Sequence, residues 1–396
     1  MRVVILYNTS WYVYLLRRNL IAALRSAGCT VTVIAPRDAY TERVKKLGVD
    51  HVHLPLHPSS TNPLDELRTI RSLYGILRDL RPDAVLSYTI KCNLYAGLCR
   101  KLLNFRLIPN ISGLGEGFAG GGSFRTFLRA LYRTALGDCS RIFFQNGEDL
   151  AACASAGLIR EDLCEVLPGS GVNVKTFIPS EKPCSDARTF LMMGRLLPAK
   201  GFRYFLRAAE TLHGELGDRG RFWVLGAADS ERSESLALLE EIHAAHARGT
   251  IRYLDKTDDA LPILQECDVV VLPSTYNEGV PRSLLEAIAC GKPVVTTDWK
   301  GCRETVRHAE NGYLVPPHNQ NELTRTLYHL ATCPREELEA LGRESRKLAV
   351  SRFDESIVID AYARALRLNR IRKSATVAPL EKTFLTNLDA RHATSL

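Results

Sequence analysis

Glu278 and Glu286 stand eight residues apart in the run Tyr276-Asn277-Glu278-Gly279-Val280-Pro281-Arg282-Ser283-Leu284-Leu285-Glu286. The apolar run Val269-Val270-Val271-Leu272 before it reads as a buried strand. The residues after it read as a helix that stops at Gly291. One carboxylate therefore belongs to a strand-to-helix loop and the other to the first turns of the helix. Both face the carboxyl edge of a sheet, where open α/β folds bind ligands. The amides that open such a helix suit a phosphate. A carboxylate repels phosphate but accepts hydrogen bonds from hydroxyls. Phosphate plus polyol is the chemistry of a nucleotide sugar.

A second charged loop lies about eighty residues earlier. Phe190–Met193 reads as a strand, followed by Gly194-Arg195-Leu196-Leu197-Pro198-Ala199-Lys200-Gly201 and a helix from Phe202. Arg195 and Lys200, with glycines that allow close backbone approach, can clamp a diphosphate. The bland reading is a surface loop with ordinary charges. Agreement with the carboxylate pair favours the clamp.

These two pieces, G-R-x4-K-G and E-x7-E, resemble the retaining family-4 glycosyltransferases of the GT-B fold. Four further segments carry the likeness: Leu86–Gly97, with Tyr88-Thr89-Ile90-Lys91; Asn110–Gly115; Pro168–Asn173; and Gly301–Val306. The likeness covers about the first 370 residues. Within the family it points to the branch that adds sugars to polyprenyl-diphosphate-linked intermediates of bacterial surface glycans, such as O-antigen or capsule.

The resemblance implies roles. Arg195 and Lys200 carry charge on the leaving diphosphate. Glu278 meets the donor sugar hydroxyls, with Gly194, Gly279, Val280, Arg282 and Ser283 around the donor and Glu286 on the ribose. On this view Glu278, Arg195 and Lys200 are the catalytic set. Lys91, Asn93, Ser112, Gly113, Gly115 and Arg18 are candidates for the acceptor. Lys91 otherwise reads as a surface lysine and Arg18 as a helix-face charge. The resemblance also implies retention of configuration without an enzymic nucleophile. No two aspartates stand two residues apart, so no D-x-D metal pair exists, and no metal or other cofactor is expected because protein cations take its place. The expected donor is a UDP-sugar carrying an N-acetylhexosamine.

Three departures flank these sites. Cys92 stands where relatives commonly have proline. Asn277 precedes Glu278 where arginine is expected. Trp299-Lys300 replaces a commoner small-residue–proline pair.

The elements that must position this chemistry follow from length and pattern. A chain of 396 residues exceeds one ordinary core. Apolar runs at 2–7, 30–35, 84–87, 105–109 and 141–144 alternate with helical stretches in the first half. The second half repeats this with strands at 189–193, 221–225, 250–254, 268–272, 293–296 and 313–315 and helices that include 302–308 and 320–331. Such alternation predicts α/β architecture with parallel sheets. The expected fold is GT-B, two Rossmann-like domains facing across a cleft, with a C-terminal helix crossing back to the first. The expected divisions are 1–178 for the acceptor and membrane, a linker at 179–188, and 189–353 for the nucleotide sugar. A crossover helix at 354–373 and a tail at 374–396 complete the chain.

Asn8-Thr9-Ser10-Trp11 follows the first strand in place of G-x-G-x-x-G, which counts against a dinucleotide dehydrogenase. The start reads as a strand rather than a signal peptide. No run of 18 apolar residues exists, so no spanning helix is expected. Eleven cysteines without a C-x-x-C pair suit reduced packing thiols of the cytosol.

The net charge of +8 is uneven, with 22 Lys/Arg against 14 Asp/Glu in residues 1–178 and equal numbers beyond. A basic half suits an anionic membrane or a phosphorylated acceptor. No nucleic-acid module is present, so nucleic acid is not an expected partner. Residues 123–137 place Phe124, Phe127 and Leu128 on one helical face beside Arg125, Arg129 and Arg133. Such a helix can lie in a membrane interface or pack on the core. The expected location is the cytoplasmic face of the inner membrane, held peripherally. Two alternatives stay open: a GT-B transferase with a soluble acceptor, and a GT-B sugar-nucleotide epimerase.

Overall fold

The computed structural model describes residues 1–57, 62–114, 123–180 and 186–368. Of residues 123–125, 127 and 128 it describes the helical backbone only. Seven parallel strands form the first sheet: β1 Arg2–Leu6, β2 Thr30–Ala35, β3 Asp50–His53, β4 Ala84–Tyr88, β5 Arg106–Ile111, β6 Ile142–Phe144 and β7 Cys164–Val166. Six form the second: β8 Arg188–Met193, β9 Gly220–Leu225, β10 Arg252–Tyr253, β11 Val269–Leu272, β12 Val294–Thr297 and β13 Gly312–Val315. The central strands are almost wholly buried and largely apolar because helices cover both faces of each sheet.

Helices α1 Ser10–Ser26, α2 Thr41–Lys45, α3 Pro63–Leu80, α4 Ile90–Arg100, α5 Ser123–Leu136 and α6 Gly147–Ser155 flank the first sheet. Helices α7 Phe202–Leu216, α8 Ser233–Ala247, α9 Leu261–Glu266, α10 Arg282–Ala289, α11 Gln320–Thr332 and α12 Arg335–Arg352 flank the second. The last, α13 Glu355–Leu366, crosses back to the first sheet. Its Val358, Ala361, Tyr362 and Leu366 share a core with Val3, Ile5, Val31 and Phe143. The chain is thus the expected pair of Rossmann-like units with a returning helix.

The sheet orders are β3-β2-β1-β4-β5-β6-β7 and β10-β9-β8-β11-β12-β13. Each begins at an inner strand, runs outward to one edge and resumes on the other side. The direction therefore reverses between β1 and β4 in one sheet and between β8 and β11 in the other. At such a point successive crossovers leave to opposite faces and open a crevice past the strand ends.

The pattern reading leaves β3, β7, α6 and α12 unassigned. It also predicts a helix at 302–308, where only a 3₁₀ turn, Arg303–Thr305, forms. Strands β3 (Asp-His-Val-His) and β7 (Cys-Glu-Val) are short sheet edges that lack an apolar run.

Candidate active site

Both charged loops grow from the second reversal point. Past β8, Gly194 leads to Arg195 and then to a 3₁₀ turn, Pro198–Lys200. Past β11, residues 273–281 lead into α10. Backbone bonds stitch the loops together, with Thr275 N donating to Ala199 O at 2.8 Å. Lys200, 8% exposed, forms an ion pair with Glu278. Both cations lie near the ring of Tyr276, Arg195 at 5.8 Å and Lys200 at 5.5 Å. Desolvation opposes the charge of Arg195, but Tyr12, Tyr276 and Glu278 outweigh it and raise its pKa above the ordinary value. A permanently charged guanidinium beside a buried ammonium is the charge pattern a diphosphate requires.

Glu286 lies in α10 and accepts from Arg282 Nε at 2.8 Å, an i,i+4 pair. Arg282 also donates to Gly171 O and lies over Phe177. The structure thus uses Arg282 to orient Glu286 and to tie α10 to the Pro168–Asn173 segment. Ser283 is half-buried in the first turn of α10, and Val280 is buried.

The loop carrying Glu278 is gripped by the first domain. Gly279 N donates to Ser112 O at 2.6 Å. Its amide is thus engaged by the first domain in this structure. Gly113 has φ +130, and a side chain there would come within 2.9 Å of Asn277 O. Gly301, with φ +79, packs on the carbonyls of Glu278 and Gly279 with no room for a methyl group. Only glycine satisfies both the backbone and the contact at these two positions. Gln145 lies against Gly279 as well.

The candidate acceptor residues scatter. Lys91 pairs with Glu66 at 2.7 Å and donates to His57 O at 2.9 Å. Asn93 is buried, accepts from Ser87 Oγ at 2.8 Å and donates to Asn110 O at 3.0 Å. Its amide brackets β4 to β5, a scaffold task that its place in the matched segment did not reveal. Arg18 is buried, and desolvation lowers its pKa; its charged neighbours include Arg282, Glu355 and Asp259. One of these neighbours, Arg282, is the partner of Glu286. Ser112 and Gly113 press on the Glu278 loop, while Gly115 lies outside the described residues.

In α5, Tyr132, Ala135 and Leu136 are buried, and Arg129 and Arg133 are exposed. A Cβ on Gly97 would collide with Ala135, so this half of α5 packs closely on α4. The side chains of Phe124, Arg125, Phe127 and Leu128 lie outside the described residues.

Two clasps missed in the sequence join the domains. Lys300 reaches Asp149 at 2.9 Å, and Asp149 is nearly fully buried. Arg303 reaches Glu148 at 2.5 Å. On another face, Asp258 accepts from Tyr40 and, at 2.6 Å, from Arg43. Lys300, a departure from the family pattern, is thus an interdomain contact. Tyr12 was also missed. It belongs to the first domain, yet its electrostatic neighbours are Arg195, Glu278 and Tyr276. No spacing rule marks a tyrosine that faces a site on another domain.

No helix among the described residues is long and apolar enough to cross a membrane. Residues 16–170 match the "Glycosyl transferase 4-like domain" family, and residues 174–348 match "Glycosyl transferases group 1". The chain is 29% identical over 385 residues to the N,N'-diacetylbacillosaminyl-diphospho-undecaprenol alpha-1,3-N-acetylgalactosaminyltransferase of Campylobacter jejuni, covering 91% of this chain and 97% of that one. It is 25% identical over 267 residues to the UDP-Gal:alpha-D-GlcNAc-diphosphoundecaprenol alpha-1,3-galactosyltransferase of Escherichia coli, covering 64% and 67%. The fold matches Anabaena HepE in complex with UDP and glucose with a TM-score of 0.76, at 18% identity over 93% of this chain and 99% of that one.

Proposed function

Because this chain belongs to the GT-B glycosyltransferases, we propose that it moves a sugar from a UDP-sugar to a saccharide carried on a polyprenyl diphosphate. The observation that carries this reading is the convergence of Arg195, Lys200 and Glu278 at the β8/β11 reversal, facing Tyr12 of the first domain. The names of the Campylobacter and Escherichia relatives support the lipid-linked acceptor, and the first of them supports an N-acetylhexosamine.

The transfer proceeds with retention. The bond from the anomeric carbon to the phosphate oxygen breaks, the bond to the acceptor oxygen forms on the same face, and the acceptor proton passes to the departing phosphate. Arg195 and Lys200 stabilise the charge that develops on the diphosphate, helped by amides at the start of α10. Protein cations make a metal unnecessary. Before donor arrives, Lys200 is held by Glu278. A diphosphate takes over the lysine, and Glu278 turns to the sugar hydroxyls. Glu286, aimed by Arg282, receives the ribose.

The enzyme works at the cytoplasmic face of the inner membrane, held there by exposed arginines of the first domain. The test is a mass-spectrometric screen of nucleotide sugars against a short-chain polyprenyl-diphosphate monosaccharide. Extension of the lipid-linked sugar by one residue from a UDP-N-acetylhexosamine is the expected result. Conversion of donor without acceptor, or transfer only to free sugars, would overturn it.

A further inference from the structure

The two sheets share one strand order from their inner strands outward, with a reversal in each. In the second sheet the residues just past the reversal, on β8 and β11, hold the charged site. In the first sheet the matching strands are β1 and β4, and the residues just past them are Asn8 and Thr89. The strands bring these two together. Leu6 pairs with Ser87, and the next residues, Tyr7 and Tyr88, stack with ring centroids 5.0 Å apart. Asn8 and Thr89 follow one step further on.

Neither residue has a task in the fold that accounts for its polar atoms. Asn8 Oδ1 is buried and has no hydrogen-bond partner. Thr89 Oγ1 is buried and makes no hydrogen bond of ordinary geometry; it faces the Cys92 thiol, a weak partner. Buried polar atoms are rarely left in this state, because an unmade bond costs the desolvation of the group. Thr89 is also strained. Its φ of 68° and ψ of 156° lie outside the regions open to a β-branched residue. It is the one β-branched residue at positive φ among the described residues. Strain of this kind persists where surrounding structure enforces it and gathers at ligand sites.

The position is also the right one. Asn8 is four residues from Tyr12, which faces Arg195, Glu278 and Tyr276 across the cleft. The Tyr12 ring also lies 5.7 Å from that of Tyr7, so Tyr12 neighbours both the β1/β4 strand ends and the loop that carries Glu278. The group these two side chains suit is a sugar hydroxyl, since an amide oxygen accepts from a hydroxyl and the threonine hydroxyl both donates and accepts; the nearby Arg17 guanidinium is turned to the ring of Tyr88.

We propose that Asn8 Oδ1 and Thr89 Oγ1 form the subsite for the acceptor's terminal sugar and select it by its hydroxyls. The proposal rests on the glycosyl-transfer reading above. It places sugar recognition on two neutral side chains at the strand ends and leaves Lys91 and Asn93 to the bonds they already make. A site with an unpaired buried acceptor rejects a sugar that lacks the matching hydroxyl more strongly than an apolar pocket rejects an extra one.

The experiment measures initial rates with a short-chain polyprenyl-diphosphate N-acetylhexosamine and saturating UDP-N-acetylhexosamine, and UDP affinity by calorimetry. Asn8→Ala and Thr89→Val should raise the acceptor KM about 10- to 100-fold, the range of an unmade buried hydrogen bond, with UDP Kd unchanged within about twofold. Thr89→Ser keeps the hydroxyl and should restore KM. Thr89→Gly relieves the backbone without restoring the hydroxyl and should stay weak. A wild-type KM in Thr89→Gly, or in both Asn8→Ala and Thr89→Val, overturns the subsite. So does a loss of UDP affinity in step with the loss of acceptor, which marks general damage to the cleft. Should Asn8→Ala fail to fold, the three Thr89 variants decide alone. A wild type that binds UDP but extends no polyprenyl-diphosphate sugar removes the functional reading itself, and that result precedes any variant.

Discussion

The two reversal points use the same topology but hold their polar side chains differently. At β8/β11 the side chains are charged, and each is held by a partner: Lys200 by Glu278, Glu286 by Arg282, and both clamp cations by Tyr276. At β1/β4 the residues just past the strands are neutral, with buried Arg17 lying 4.2 Å over the Tyr88 ring; Asn8 Oδ1 has no hydrogen-bond partner and Thr89 Oγ1 has only the Cys92 thiol. On the proposed reading, the difference follows from what each point would hold. Buried charges are costly unless paired, so a diphosphate site needs a resting partner for its lysine. A sugar site tolerates unpaired neutral atoms at a cost of about 1–3 kcal/mol each. Donor binding is then an exchange of partners, and acceptor binding is the making of missing bonds.

The sharpest way to break this contrast is to remove the clamp. Arg195→Ala and Lys200→Ala should each lower kcat by roughly 10²–10³, the scale for loss of one donor to developing charge. Steady-state rates at saturating acceptor provide the measurement. Chelator should leave wild-type activity intact. Activity abolished by EDTA and restored by magnesium or manganese would show that metal rather than protein charge carries the leaving group.

The exchange of partners predicts unequal effects from the two carboxylates. Glu286→Ala should weaken UDP binding by about 1.5–3 kcal/mol, the worth of a hydrogen bond to a charged group. Glu278→Ala should lower turnover through lost sugar positioning. It should leave UDP affinity unchanged or raise it, because Lys200 loses its competing carboxylate. Calorimetry with UDP checks both, and an equal loss in the two variants contradicts the exchange.

Legibility in the sequence followed the same divide. The convergence of Arg195, Lys200, Glu278 and Glu286 was readable because charged residues at fixed spacing on strand-to-helix loops have few other uses, and all four fall at one reversal point. The acceptor side was not readable in that way. Lys91 and Asn93 lie in a matched segment, but burial and partners decide their work, and Asn93 serves the sheet. Asn8 carries no spacing signal. Its significance depends on which strands are neighbours, and that is tertiary information. Among the elements, long apolar runs gave the central strands, whereas β3 and β7 are polar edge strands that pairing alone defines. Lys300 shows the same limit, since its carboxylate partner is 151 positions away in the chain.

The interdomain clasps sharpen the contrast from the side, since they hold the two reversal points face to face. Lys300→Met removes the partner of buried Asp149, which keeps only its bond from Asn146 at 3.0 Å. The expected loss is about 1–2 kcal/mol, between the values for exposed and fully buried pairs. Thermal unfolding should show it, and the donor and acceptor KM should rise together because neither site is touched directly. A rise in one KM alone would mean that Lys300 belongs to that site.

The smallest expected effect concerns how the first domain meets its lipid. Tyr132, Ala135 and Leu136 of α5 are buried, so the C-terminal half of that helix packs on the core, and the basic side chains it exposes are Arg129 and Arg133. Basic residues near an anionic bilayer are worth about 1 kcal/mol each. Arg129→Glu together with Arg133→Glu should therefore weaken co-sedimentation with phosphatidylglycerol vesicles by roughly tenfold or more. The fold should survive, since both side chains are exposed. Wild-type binding should fall as salt rises, because the attraction is screened over about 8–10 Å. Activity should drop on a long-chain polyprenyl acceptor but hold on a short water-soluble analogue, whose delivery needs no membrane. The clamp variants should show the reverse, losing rate on both acceptors while sedimenting like wild type. If the double variant folds and still sediments as wild type does, α5 is a packing helix throughout its described side chains and is not the proposed membrane contact.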